Sequence, residues 1–359
     1  MDKQNLSSSQ IVAGLLARQS SWLTGTGPLS EVVISTRIRL ARNIQGFKFV
    51  NMCADSERDD LELAIRSGIR QAGLADLRYV RVHDLEELDR LCLVERHLIS
   101  KNLSDASGPR GLAITPDESI AVMVNEEDHL RLQVFRSGLQ LDDAWDQINA
   151  LDDGLEGPLS YAYSPRFGYL TACPTNVGTA LRVSVMVHLP ALKLTGEIEK
   201  VFRAARELRL AVRGLYGEGT DSTGDLFQIS NQVSLGRSET EILSDFKHVV
   251  IPKVIEYERQ ARKVLLQERA TALDDKVWRA LGVLRHARAL SSDEILGYLS
   301  HLRMGVCLGR LDALDLPTIG ELLLCTQPAH LQKRHGQRLT GEQRSIERAN
   351  LVRSRLGTV

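Results

Sequence analysis

Through the first two thirds of the chain, apolar and polar positions alternate in short runs at 33–40, 120–125, 130–134, 183–189 and 210–215, separated by Gly, Pro and Asp. A period of two marks a strand with one buried face, so these five segments are predicted β-strands. Helices are expected among them at 56–72, 85–95, 139–151 and 195–207. After about residue 254 the texture changes. Apolar residues then recur at helical spacing in 254–266, 275–284, 292–302 and 346–356. Asp274 or Asp275, Ser292 and the Thr340-Gly341-Glu342 turn are the expected helix starts. The fold class that follows is α+β: an antiparallel or mixed sheet with helices on one face over 1–254, then an all-helical domain over 255–359.

Length agrees, since 359 residues suit two domains. With 43% hydrophobic and 25% charged residues, the composition excludes wholesale disorder, collagen-like repeats and coiled coil. A net charge of −1 argues against a general binder of nucleic acid. The balance is uneven, however. From Glu256 onward 17 Lys+Arg face 12 Asp+Glu, a net +5, which leaves 28 and 34 in the first 255 residues, a net −6. Five scattered cysteines with no CxxC read as reduced thiols, neither a disulfide frame nor a zinc site. The apolar stretch 11–17 is short, broken by Gly14 and lacks a basic leader, and no run is long enough to span a membrane. The expected location is the cytoplasm.

Candidate chemistry begins with parity. In VVISTRIRL (32–40), Ile34, Ile38 and Leu40 point one way while Ser35, Arg37 and Arg39 point the other. If NEEDHLRLQ (125–133) is an unbroken strand, Glu127, His129 and Arg131 share a face opposite Glu126, Leu130 and Leu132, so that Glu127 faces Arg131. Like charges on neighbouring strands repel unless something anionic lies among them. CPTNVGTALR (173–182) is a turn rich in backbone donors, and its Arg182 has the parity of the polar face. Arg213 ends a strand before a glycine-rich loop that carries Glu218. Neither GxxxxGK[ST] nor GxGxxG occurs, which argues against the commoner nucleotide loops.

Together STRIR (35–39), NEEDHLR (125–131), CPTNVGTALR (173–182) and RGLYGEG (213–219) resemble the phosphagen (guanidino) kinase family. ERHLISKNL (95–103), LFQISNQVSLGRSE (226–239) and LLCTQPAHLQ (323–332) extend the likeness over nearly the whole chain. Two departures matter. STRIR begins at residue 35, leaving no room for the leading helical domain of the small-molecule enzymes, and a helical domain instead follows the catalytic one. Both features are similar to the protein arginine kinases of bacteria, whose more open acceptor site admits an arginine on a protein. Met186 stands where the small-molecule enzymes place a nucleotide-contacting histidine, again as in that branch.

The resemblance implies transfer of the γ-phosphoryl group of Mg·ATP to arginine side chains in proteins. Ser35, Arg37, Arg39, Arg131, Arg182 and Arg213 fall at nucleotide-binding positions, with His97 nearby. Arginine suits phosphate because its planar fork donates bidentate hydrogen bonds and keeps its charge. Mg²⁺ would be held by phosphate and water, with no ligand set from the protein. A guanidinium, with a pKa of about 12 or higher, must be held in line and relieved of a proton by carboxylates. By resemblance these are Glu127 and Glu218, with Cys173 orienting the acceptor as a thiolate. Arg344 and Ser345 align with a phosphoarginine-binding pocket, although serine replaces the carboxylate expected there. Homodimerisation, a small zinc-binding activator, a heat-shock repressor and a Clp ATPase and protease are the implied partners. The alternatives are a kinase of free arginine or another small guanidine, and a binding-only pseudokinase. Glu218→Gln is expected to cut turnover by several orders of magnitude while nucleotide binding, measured by calorimetry, stays nearly unchanged; near-normal turnover would refute the role.

Overall fold

A computed structural model describes residues 6–74, 76–215 and 223–357 of the chain. Its strands are β1 (Val33–Arg42), β2 (Arg78–Arg81), β3 (Gly111–Ile114), β4 (Ile120–Val124), β5 (Leu130–Ser137), β6 (Tyr163–Ser164), β7 (Gly168–Tyr169), β8 (Leu181–His188), β9 (Leu210–Gly214) and β10 (Leu226–Asn231). Eight of them form one sheet in the order β2-β3-β4-β5-β1-β8-β10-β9, and every neighbouring pair is antiparallel. β6 and β7 make a separate hairpin. All five expected strands are present. The short β2 and β3, and β10 in LFQISN, add to them.

The first strand lies inside the sheet, bonded on both sides to β5 and β8. Its apolar parity residues Ile38 and Leu40 are buried. Beneath them runs helix Leu141–Glu156, which turns Ala144, Ile148, Leu151 and Leu155 inward at helical spacing. That leaves the other face of β1, with its arginines, for a different purpose.

In the C-terminal part, Thr340 caps helix Gly341–Leu356 as expected. Ser291 rather than Ser292 caps helix Ser292–Cys307, a shift of one residue. Asp274 and Asp275 cap nothing; they lie within helix Ala270–His286, where they pair with Arg310 and Arg279 across its surface. Carboxylates one turn inside a helix thus serve as ion-pair partners, not as starts. Helices Ser8–Leu16, Leu316–Cys325 and Pro328–His335 join those anticipated. The expected division at 254/255 falls inside the continuous helix Ile251–Glu268. Buried Glu258 on that helix accepts hydrogen bonds from the Ala191 and Leu192 amides and from Arg262, tying the sheet half to the helical half.

Three further contacts join the halves. The Glu95 carboxylate accepts the Ala329 and His330 amides at the start of helix Pro328–His335. Ser300 donates to Asp225 at 2.6 Å and meets His188 of β8 at 2.9 Å, all three buried. Gly320 of helix Leu316–Cys325 lies against the chain at Leu23, so closely that a Cβ there would stand 2.1 Å from the Leu23 carbonyl oxygen. Among the described residues no helix is long and apolar enough to cross a membrane. Gly320→Ala sets a gain in helix propensity of about 1 kcal/mol against overpacking on immovable backbone of about 1–3 kcal/mol. The overlap wins, so the urea midpoint of unfolding should fall; a raised midpoint would contradict this packing.

Candidate active site

Register turns the alternation of β1 into a cluster. Arg39 stands opposite Arg182 of β8 and Gln133 of β5, Arg37 opposite Ser184 and Phe135, and Ala41 opposite Arg131. On the far side, Ser35 stands opposite Met186, Met186 opposite Gln228 of β10, and Gln228 opposite Arg213 of β9. Residues directly opposite share a face, so Ser35, Arg37, Arg39, Arg131, Arg182 and Arg213 all project from one side of five adjacent strands. The structure brings together every arginine that the sequence singled out for this face.

These cations are poorly compensated. Burial, and then Arg131 and Arg182, push the Arg37 guanidinium down to about 9. Burial with Arg37, Arg131 and Arg182 lowers Arg39 well below its usual value, and burial with Arg213 and Arg131 lowers Arg182. The buried Nε atoms of Arg37, Arg39 and Arg182 make no hydrogen bond. What is present is modest: Arg37 donates to Gln133 Oε1 at 2.7 Å, Arg182 to Ser230 at 3.3 Å, and Arg131 pairs with Glu126 at 2.8 Å. Glu126 itself is held by Ser100 at 2.6 Å. Cations crowded in this way, with donors to spare, are arranged for a polyanion.

His97 sits at the edge of this cluster with φ of 59° and its ring edge-on to Trp22. Burial, Arg37 and Arg39 push its imidazole down to about 3, so it is neutral at physiological pH. With Ser35, Met186 and Trp22 it lines a small recess beside Arg37.

The carboxylate end departs from the parity expectation. Residues 125–129 are a tight turn, because Asn125 takes a left-handed conformation at φ 58° and closes onto the His129 carbonyl. Strand β5 therefore begins only at Leu130. His129 turns inward, accepting the Ile44 amide at Nδ1 and meeting the Lys48 carbonyl through Nε2. It is Glu126, not Glu127, that faces Arg131. Glu127 is instead exposed at the tip of the turn and lines the same cavity as Cys173, whose thiol meets the Thr175 hydroxyl at 3.0 Å. Burial, Asp128 and Glu126 raise the Glu127 pKa above the usual glutamate value. Asp128 sets the turn against the Cys173 segment, because one of its oxygens accepts both Asn43 Nδ2 at 2.6 Å and the Ala172 amide at 2.7 Å. Thus the turn bearing Glu127 and the segment bearing Cys173 are pinned to each other.

Between the two ends lies a cavity of about 230 Å³, with Arg39, Arg131 and Arg182 on one wall and Glu127, Cys173 and Asn176 on the other. Glu218 lies outside the described residues. Arg344 and Ser345 are elsewhere, on helix Gly341–Leu356, where Arg344 donates to the Leu339 carbonyl and Ser345 to the Gly341 carbonyl. The sequence reading missed Asp128, Glu126 and Gln133. Both acids were visible within NEEDHLR, but only the turn assigns their partners.

Residues 62–261 match the family model of the ATP:guanido phosphotransferase C-terminal catalytic domain, and residues 270–359 match that of the protein-arginine kinase McsB C-terminal domain. The chain is 45% identical over 337 residues to a protein-arginine kinase of Halothermothrix orenii, spanning 94% of this chain and 96% of that one. It is 46% identical over 342 residues to a protein-arginine kinase of Symbiobacterium thermophilum, spanning 94% and 97%. Among solved structures, it is similar to the duplicated taurocyamine kinase of Schistosoma mansoni bound to transition-state analogue components. That likeness has a TM-score of 0.59 at 27% identity, over 68% of this chain and 35% of the duplicated one. A lombricine kinase gives a TM-score of 0.57 at 26% identity over 72% and 71%. With the arginine face, the carboxylate turn and both halves of the chain accounted for, the protein belongs to the ATP:guanido phosphotransferase family, in its protein-arginine kinase branch.

Proposed function

We propose that Arg37, Arg39, Arg131, Arg182 and Arg213 bind the triphosphate of ATP, and that Glu127 and Cys173, together with Glu218, hold the arginine side chain of a substrate protein. The supporting observation is one cavity with poorly compensated guanidinium groups on one wall and a carboxylate and a thiol on the other. In the transfer, the bond from the γ-phosphorus to the bridging oxygen of ADP breaks and one to a guanidinium nitrogen forms. The displaced guanidinium proton passes to a carboxylate.

Phosphoryl transfer asks mainly for alignment and charge neutralisation, because the moving group passes through a loose, anionic transition state. Arginines that repel one another when the site is empty are neutralised best when the phosphates are present, so the cluster supplies affinity and alignment together. Ser35, His97 and Met186 fit beside the nucleotide, where a neutral imidazole can pack without adding charge. Among the described residues no group of three or more His, Cys, Asp or Glu converges on a metal site. A Mg²⁺ ion carried on phosphate oxygens and water fits that donor set and would supply further charge neutralisation.

Five free cysteines suit a reducing cytoplasm. A homodimer, an activator with zinc, a heat-shock repressor and a downstream Clp ATPase and protease belong to this reading through the resemblance of the sequence. Arg344 and Ser345 carry its phosphoarginine-binding part.

Arg39→Met removes a buried cation from a repelling set. The variant is expected to unfold no earlier than the parent without nucleotide, yet to lose about tenfold or more in ATP affinity, since a charge-assisted hydrogen bond is worth about 1.5–3 kcal/mol. Calorimetry with ATP and thermal melts check both halves, and parental affinity would contradict the role. Glu127 must be ionised to hold the acceptor, and its raised pKa shifts the acid side of the profile upward. The acid limb of kcat/KM for a protein substrate should therefore have its half-point above pH 4.5, the ordinary glutamate value. A limb at or below that value would contradict the assignment.

A further inference from the structure

The outer wall of the acceptor cavity carries side chains that the transfer itself does not use. The β6–β7 hairpin exposes Tyr163 by 58% and Phe167 by 45%, and beyond β10 Val233 and Leu235 are exposed by 40% and 51%. The latter two flank Ser234, which lines the cavity. These are four of the thirteen large apolar side chains exposed among the described residues. A single exposed leucine means little, but several on segments that meet beside one cavity form a rim and mark a contact surface.

Gly178 is where the rim comes together. A Cβ on Gly168 would lie 2.4 Å from the Gly178 carbonyl oxygen, and a Cβ on Gly178 would lie 2.7 Å from the Leu235 Cα. The hairpin, the segment following Cys173 and residues 233–235 therefore stack backbone on backbone. Hydrogen bonds fix the stack: the Tyr169 amide donates to the Gly178 carbonyl at 2.8 Å, and the Ser234 hydroxyl is shared by the Asn176 and Val177 carbonyls. Below the hairpin, the Tyr169 ring lies 3.5 Å from the Arg42 guanidinium, which is itself in a buried ion pair with Asp152. Tyr163 packs edge-on to Tyr169. The rim is thus preorganised at its base and apolar at its surface.

We propose that this rim docks the residues on either side of the target arginine, and that it selects an extended polypeptide whose neighbouring side chains are bulky and apolar. The inference rests on Glu127 and Cys173 marking the acceptor end. An arginine presented on a polypeptide brings its neighbours with it, spaced by about 3.4 Å per residue in an extended chain. They must meet whatever surrounds the cavity mouth. On the side of Cys173 and Ser234 that surface is Phe167, Val233 and Leu235. Arg166, stacked 5.0 Å from the Phe167 ring, adds a cation that disfavours a basic neighbour.

Two peptides with one arginine each, flanked by leucine and phenylalanine or by serine, test this on the full chain and on the double variant Phe167→Ser, Leu235→Ser. Both substitutions are at exposed positions, so the fold should tolerate them. The parent should show a KM about tenfold lower for the apolar-flanked peptide. The double variant should lose that difference while its KM for ATP and its turnover of the serine-flanked peptide stay unchanged. Equal KM values in the parent, or a preference that survives in the variant, would overturn the rim. No phosphoarginine on either peptide, with ATP still bound, would overturn the acceptor assignment and with it the rim.

Discussion

Mutual repulsion among clustered arginines is the constraint around which this molecule is built. Five guanidinium groups on one face of a sheet would, left alone, drive the strands apart or draw in water. The protein holds them with few counter-charges: Glu126 pairs with Arg131, while Gln133 and Ser230 offer only neutral acceptors. Adding carboxylates would relax the cluster, but they would also compete with the phosphates that the proposed function brings to it. On the proposed reading, local stability is traded for affinity toward phosphate.

The rest of the fold resists that repulsion. β1 is hydrogen-bonded on both sides, so its arginines cannot swing away without breaking two ladders. Underneath, Ile38 and Leu40 are buried near a helix whose inner face is apolar apart from Asp152, which pairs with Arg42. Asp128 adds a separate brace at the carboxylate end, since it fixes two loops with one oxygen atom. The wall bearing Glu127 and Cys173 is thereby set against the arginine wall by buried polar contacts.

How much of this was legible in the sequence depends on range. Alternation identified five of the eight strands of the main sheet, and the parity of 32–40 separated the arginine face from the core face correctly, because β1 keeps one register from Ser35 to Leu40. The same logic failed at 125–129. Parity assumes an unbroken strand, and Asn125 takes a left-handed conformation that no count of apolar positions reveals. Glu126 and Glu127 consequently exchanged their expected directions. Helix caps followed the same rule: Thr340 stood next to a local signal, whereas Asp274 and Asp275 were claimed by partners elsewhere, and Arg310 is distant in sequence. That all five arginines would share one face became visible only through register, and the apolar rim only through the meeting of three loops at Gly178.

Glu95, Arg96 and His97 are consecutive, yet each answers to a different part of the molecule. Glu95 caps helix Pro328–His335, Arg96 is buried in an ion pair with Glu118, and His97 lies against the arginine cluster. A shift of that helix would reach the recess beside Arg37 through three consecutive residues of backbone, without any path through solvent. For the history of the chain this means that the two halves could not have been exchanged freely between relatives. A helical half from another lineage would have had to arrive with a helix start that fits Glu95, a glycine that fits Leu23 and a hydroxyl that fits Asp225. The join between sheet and helices is thus a heritable unit in its own right, as constrained as the site it supports.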